Sequence, residues 1–234
     1  MSGASARSDD GMEAAPSRID LLEDAEVLAL YLRQRLAPAA LDLSFSKAPT
    51  MAGLPTTLAD PRIYGKNPRQ AAVLAPLYAR DGKPHLLFTL RAAGLSSHSG
   101  EISFPGGSRD PEDTSLAHTA LRESQEELGL PPSSVALLGA MPPAYTAVSN
   151  FLVTPYVGWL GEGLPLLQPQ ESEVAEVIEA PISALDDHLI YHEEMWSRGG
   201  EVHAVHFYDF GAYRIWGFTG RLLHQLLALL PPRE

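Results

Sequence analysis

The sequence has no cysteine among its 234 residues. That excludes disulfides, thiolate nucleophiles and Cys-ligated zinc. Cations are scarce: 17 Lys and Arg stand against 29 Asp and Glu, a formal net charge of −12. This balance argues against non-specific nucleic-acid binding, which needs a basic surface, and against docking on anionic membranes. No stretch approaches the ~18 consecutive apolar residues of a membrane-crossing helix. The opening "MSGASARSDDGMEAAPS" lacks the apolar core of a secretory signal, so a cytoplasmic location is the expectation. Several catalytic signatures are missing too. Gly-x4-Gly-Lys-Ser/Thr, His-Glu-x-x-His and Gly-x-Ser-x-Gly do not occur, and "GEGLPL" lacks the third glycine of a dinucleotide fingerprint. His203 and His206 in "HAVH" are three apart, so on a strand they point to opposite faces and make no zinc pair.

What remains is an ordinary globular composition, 45% hydrophobic, long enough for one large domain with extensions. Residues 1–17 read as a flexible tail. A helix is expected over about 18–36, with Ser17 and Asp20 in a capping pattern, followed by a Pro-rich connector to residue 68. From Gln70 the texture changes. "QAAVLAPLYA" and "HLLFTLRA" read as strands joined by an Asp-Gly hairpin turn. "EISF" is a short strand entering the turn "FPGG", where Pro105 stiffens the entry and Gly106 and Gly107 let the backbone approach a ligand closely. A helix over 114–129 follows, capped by Thr114 or Ser115 and ended by Gly129. "ALLGAMP", "LVTPYVGWL", "EVAEVIEAP", "VHAVHFYDF" and "YRIWG" read as further strands, and "FTGRLLHQLLALL" as a closing amphipathic helix. No steady βαβ rhythm appears, which favours an α+β fold with a mixed sheet between helices.

The 114–129 helix carries the chemistry. At about 100° per residue, Ala117, Ala120, Leu121 and Leu128 share one side, and Glu123, Glu126 and Glu127 share another. Three like charges on adjacent turns repel each other. A divalent cation with a preference for hard oxygen ligands reverses that sign. Glu-rich helix faces are more often simply solvated; here Arg122 and the upstream glycine turn add context.

"GG…RESQEELGL" resembles the Nudix box, Gly-x5-Glu-x7-Arg-Glu-U-x-Glu-Glu-x-Gly-U, with U apolar. Arg122, Glu123, Glu126, Glu127, Gly129 and Leu130 match. Ser108 falls in the first Gly slot, Thr114 in the first Glu slot and Ser124 in an apolar slot. A loop one residue longer accounts for the first two, with Asp110 or Asp113 then supplying the carboxylate that holds Arg122. Upstream, "LFTLRAAGLSSHSGEISFPGG" resembles the extra motif of Nudix coenzyme A pyrophosphatases, with Ser96 in place of its second arginine. "MPPAYTAVSNFLVTPYVG" and "YRIWGFTGRLLHQLL" resemble the same subfamily, so the likeness covers about residues 70–228.

The resemblance implies a Nudix-type α/β/α sandwich, with a hydrolase domain over 69–231 behind an N-terminal helix and connector over 18–68. It implies Mg²⁺ or Mn²⁺ held by Glu123, Glu126 and Glu127. Glu173 is the implied further carboxylate, with Glu171 and Glu176 its nearest rivals. Arg91, His98, Gly106 and Gly107 are the implied substrate contacts, and a structural role for His98 stays open. The implied reaction splits the pyrophosphate of coenzyme A or its derivatives into adenosine 3′,5′-bisphosphate and 4′-phosphopantetheine. Two other readings stay open: a different dinucleotide or nucleotide sugar as substrate, and a non-catalytic nucleotide-binding module. Partners are then a CoA-like diphosphate, no nucleic acid and no membrane, with room for a homodimer.

Overall fold

The computed structural model describes residues 15–36, 68–93, 100–146, 148–198 and 201–233. Most of the expected tail, the 37–67 connector, and Ser96 and His98 lie outside the described residues.

The chain opens with α1 (Arg18–Glu23) and α2 (Ala25–Arg35), then forms β1 (Arg69–Arg80), β2 (Lys83–Arg91), β3 (Ile102–Ser103) and β4 (Gly106–Ser108). Helix α3 (Leu116–Leu128) leads to β5 (Ala136–Ala140), β6 (Ala144–Thr146), β7 (Phe151–Glu162) and β8 (Val174–Pro181). A short α4 (Ile182–Leu185) precedes β9 (Tyr191–Arg198), β10 (Glu201–Phe210), β11 (Tyr213–Trp216) and the last helix, α5 (Gly217–Leu227).

Strand β1 organises the main sheet. It is apolar and buried on both faces, the pattern of a central strand. It pairs in parallel with β7 along one side. On its other side it pairs antiparallel first with β4 and then, from Leu77, with β2. Pro76 sits where β1 changes partners. The Leu74 N–H turns to that side to meet Pro105 O at 2.9 Å. Pro76, two residues on, therefore presents its donor-less nitrogen where no strand needs a donor. The hairpin to β2 closes through Asp81 (φ 53°) and Gly82 (φ 73°), the left-handed pair that Asp-Gly favours.

Two apolar clusters flank this sheet. One lies under α3 and holds Ala72, Leu74, Leu87 and Leu128. The other holds Leu77, Leu86, Phe88 and Ile178 against Leu21, Leu28 and Leu32 of the N-terminal helices and Leu222, Leu223 and Leu226 of α5. The expected mixed sheet between helices is what is found. Strands β9–β11 form a separate three-stranded antiparallel sheet on the α5 side.

The single helix expected over 18–36 is two. Asp24 ends α1 and caps α2, its carboxylate accepting from the Glu26 and Val27 N–H groups at 3.0 Å each. A short acidic side chain that competes for backbone donors interrupts a helix in this way. The Ser17–Asp20 pattern is a complete capping box. Strand β9 carries no strand signal in its sequence, since "YHEEMWSR" shows no clean alternation; its pairing with β10 defines it. His203 and His206 stand on opposite faces of β10, opposite Trp196 and Glu193 respectively.

Because α2 closes the sheet's second core, Leu28→Ala is expected to cost about 2–5 kcal/mol, read as a lowered urea midpoint with an unchanged slope.

Candidate active site

Gly106 and Gly107 answer two different steric demands. Gly106 has φ 153°, and a Cβ there would lie 2.6 Å from Val73 Cα in β1. A Cβ on Gly107 would lie 2.6 Å from the carboxylate atoms of Glu123. The turn is therefore pressed between a strand and a carboxylate of α3.

Helix α3 is set by its ends. Ser115, one of the two expected caps, accepts from His118 N–H at 3.0 Å. Gly129 ends the helix in the left-handed conformation at φ 66°. The boundaries are thus 116–128, just inside the expected 114–129. Ser124 in its apolar slot is fully buried, and its hydroxyl donates to Ala120 O at 2.7 Å, so it packs without an unpaired group.

Of the three glutamates on this side of the helix, Glu123 and Glu127 lie against the glycine turn and Glu126 stands apart from it. Glu127 is 4% exposed and lies in the packing interface. It accepts from the Gly106 N–H at 3.3 Å and has the Arg91 guanidinium 3.9 Å away. Burial pushes its carboxyl up to about 8; the Gly106 N–H and Arg91 pull the other way, and Glu123 and Glu173 push it higher. Glu123 is also raised, by burial first, against the pull of Arg122 and with the push of Glu126 and Glu173. Glu126 is exposed and bonded to Arg122 at 3.0 Å. Each carboxylate is drawn to its nearest donor. Among the described residues no three His, Asp or Glu side chains form a closed metal cluster.

Arg122 binds in several directions at once. Its Nε and one terminal nitrogen reach the two oxygens of Asp113 at 3.0 Å each. The same terminal nitrogen reaches Ser108 O at 3.1 Å and Glu123 at 3.0 Å. Of the two aspartates offered by the sequence, Asp113 is the one bonded to Arg122. Burial alone would raise the Asp113 carboxyl. Hydrogen bonds from Arg122, the Asp110 N–H and Thr119 outweigh it and hold Asp113 well below the usual carboxylate range. The longer loop is thereby tied back to the helix, and Ser108 in the glycine slot contributes its carbonyl.

Glu173 lies in the turn just before β8, not in a strand. The segment before it is strapped to the end of α3, with Gln168 N–H donating to Leu128 O and Gln170 N–H to Glu127 O at 2.8 and 2.9 Å. Beyond it, Ala92 N–H donates to Glu173 O at 2.9 Å. This places Glu173 beside Arg91 and within electrostatic reach of both Glu123 and Glu127. Glu171 is exposed, and Glu176 is turned to the Tyr213 hydroxyl. No sequence signal marks the strap, because its bonds are all made by backbone.

The donor set suits a hard divalent cation. It offers only carboxylate oxygens, two of them on groups whose charge is disfavoured by burial and by each other, which a cation relieves.

The model of the family described as "NUDIX domain" matches residues 68–204. A protein of Photorhabdus laumondii named as an uncharacterized Nudix hydrolase, NudL, is 43% identical over 166 residues, which is 71% of this chain and 87% of the relative. A protein of the same name from Citrobacter koseri is 41% identical over 168 residues, 71% of this chain and 86% of the relative. Among solved structures, the Nudix hydrolase RenU from M. smegmatis aligns with a TM-score of 0.43 at 22% identity, covering 50% of this chain and 73% of that one.

Asp113→Asn is expected to destabilise the protein by about 3 kcal/mol at pH 7, since it removes the buried charge that takes two of the Arg122 guanidinium's hydrogen bonds. Asp113 is depressed in the folded state, so its contribution is present above its unfolded pKa of about 4 and is lost as pH falls. Urea titrations should show the gap between wild type and variant narrowing below about pH 4.

Proposed function

The chain belongs to the NUDIX domain family, and from that membership we propose that it is a metal-dependent hydrolase of the pyrophosphate bond in coenzyme A or its derivatives. The products are adenosine 3′,5′-bisphosphate and 4′-phosphopantetheine, acylated or free. One observation carries the reading. Arg91, from the motif upstream of the glycine turn, ends β2 beside Glu127 of the carboxylate helix. A cation for phosphate and the carboxylates for a metal ion thus meet at one place.

We assign Glu123, Glu126 and Glu127 as ligands of Mg²⁺ or Mn²⁺. When bound, such an ion neutralises and orients the phosphates. Arg91 holds a phosphate oxygen through its guanidinium. Gly106 and Gly107 keep the turn free of side chains where the diphosphate enters. Glu173 is the carboxylate that accepts a proton from the attacking water. His98 is assigned to the substrate side. Residues 18–68, an N-terminal helical segment and connector, are assigned as an extension to a hydrolase domain of residues 69–231.

Ser96, in the slot of the motif's second arginine, supports a second reading with the same chemistry and a different diphosphate, a dinucleotide or a nucleotide sugar.

The test is incubation with coenzyme A and Mg²⁺ or Mn²⁺, followed by mass spectrometry, with an EDTA control and a panel of NADH, ADP-ribose and diadenosine polyphosphates. Metal-dependent 4′-phosphopantetheine is the expected product. Intact coenzyme A beside cleavage of another diphosphate would shift the substrate and keep the site. Binding without any turnover would mean a non-catalytic module.

Glu127→Gln is expected to lower turnover at least about 100-fold while keeping the fold. A carboxyl raised by folding costs stability as pH climbs above its ordinary value of 4.5. The variant should therefore unfold at no lower a urea concentration than wild type at pH 8, despite its lost activity.

A further inference from the structure

The last turn of a helix leaves carbonyls with no partner inside it. In α3 two of these are taken by the chain that leads into β8. Gln168 N–H donates to Leu128 O at 2.8 Å, and Gln170 N–H donates to Glu127 O at 2.9 Å. Between the two donors stands Pro169, which has no N–H to give and restricts the backbone. Gly129 is the seat of this strap. A Cβ there would lie 3.0 Å from Gln168 Cβ and 3.1 Å from its nitrogen. Leu164 and Leu167 pack against the apolar cluster that holds Leu128.

Gln170 is the hub of the strap. Its C=O accepts from the N–H of Glu173 at 2.8 Å and from the N–H of Val174 at 2.9 Å. Glu173 O in turn accepts from Ala92 N–H at 2.9 Å, and Ala92 follows Arg91. The Arg91 guanidinium stands 3.9 Å from the Glu127 carboxylate. These links close a ring that runs from Glu127 through Gln170, Glu173 and Arg91 back to Glu127. Three of its members carry charged side chains. Gln170 does not, and its side-chain amide donates to Ser172 Oγ at 3.1 Å on an exposed surface. What Gln170 brings to the ring is one N–H and one C=O. Such a link matters for catalysis because a reacting group misplaced by about 1 Å can lose on the order of 100-fold in rate.

We propose that Gln170 is a positioning residue, whose backbone holds Glu173 in a fixed place relative to Glu127. This rests on the reading of Glu173 as the carboxylate that accepts a proton from the attacking water. Gln170 acts through Glu173, and its side chain is dispensable.

Two measurements test it. Gln170→Pro removes the N–H and keeps the C=O. In metal-supported hydrolysis of coenzyme A it should lower kcat about 100-fold, with KM within about twofold. Gln170→Ala, which keeps the N–H, should restore the wild-type rate. In a Glu173→Gln background Gln170→Pro should cost nothing further, because its effect is carried by Glu173. The second measurement needs neither metal nor turnover. The chain has no cysteine, so a nitroxide attached in Glu173→Cys is a single label. It should broaden the amide resonances of the last turn of α3 in the parent and in Gln170→Ala, and the broadening should fall in Gln170→Pro. Circular dichroism checks that each variant is folded. If Gln170→Pro does not fold, Gly129→Ala, whose Cβ presses on Gln168, displaces the same strap and carries the same expectations. Broadening as expected without coenzyme A hydrolysis would overturn the proposed reaction and leave the positioning standing. Broadening unchanged by displacement of the strap, an unchanged kcat, or a loss that adds in full to that of Glu173→Gln would overturn the positioning.

Discussion

The site depends on one ion pair. Asp113 and Arg122 are joined through two hydrogen bonds of 3.0 Å, with Asp113 buried. From that anchor Arg122 reaches the Ser108 carbonyl on the turn side and Glu123 and Glu126 on the helix side. The loop between β4 and α3 and the helix that follows are therefore held as one body. Charge-assisted bonds of this kind fix direction as well as distance. Without the pair, the turn that presses on Glu123 and covers Glu127 keeps its pairing with β1 and its Gly106 N–H bond to Glu127, but the loop between it and α3 loses its tie to the helix.

The second constraint works against stability. Glu127 is placed under the glycine turn with one backbone donor and one guanidinium near it, and its charge is disfavoured there. Glu123 and Glu173 add to the strain of charge. A fold selected for stability alone would put an apolar residue at this position. Buried like charges at the mouth of a glycine turn make sense where a cation and a phosphate are brought together. The surrounding structure bears the cost through two apolar clusters on opposite faces of one sheet.

Much of this was legible in the sequence, for identifiable reasons. Two apolar runs joined by an Asp-Gly turn mark the β1–β2 hairpin, and Ser115 and Gly129 mark the ends of α3. The spacing of Arg122, Glu123, Glu126 and Glu127 singles out the helix that packs against the glycine turn. What it did not show was set by neighbours distant in sequence. A helical wheel places Glu127 with the solvated glutamates, yet the FPGG turn covers it. The break at Asp24 is a choice between two hydrogen-bonding modes that periodicity does not see. The strap before Glu173 is made of backbone bonds. The aromatic cluster of His192, Trp196, Phe207 and Trp216 arises only when β9, β10 and β11 come into register.

The central claim is that the carboxylates of α3 bind a divalent cation beside a phosphate-holding arginine. Titration of Mn²⁺ into the protein without substrate, followed by the electron paramagnetic resonance of the free ion, tests it most directly. The account predicts saturable uptake of Mn²⁺ that Glu123→Gln and Glu127→Gln weaken by at least about tenfold while Glu171→Gln leaves it intact. Uptake equal in all four proteins would contradict it.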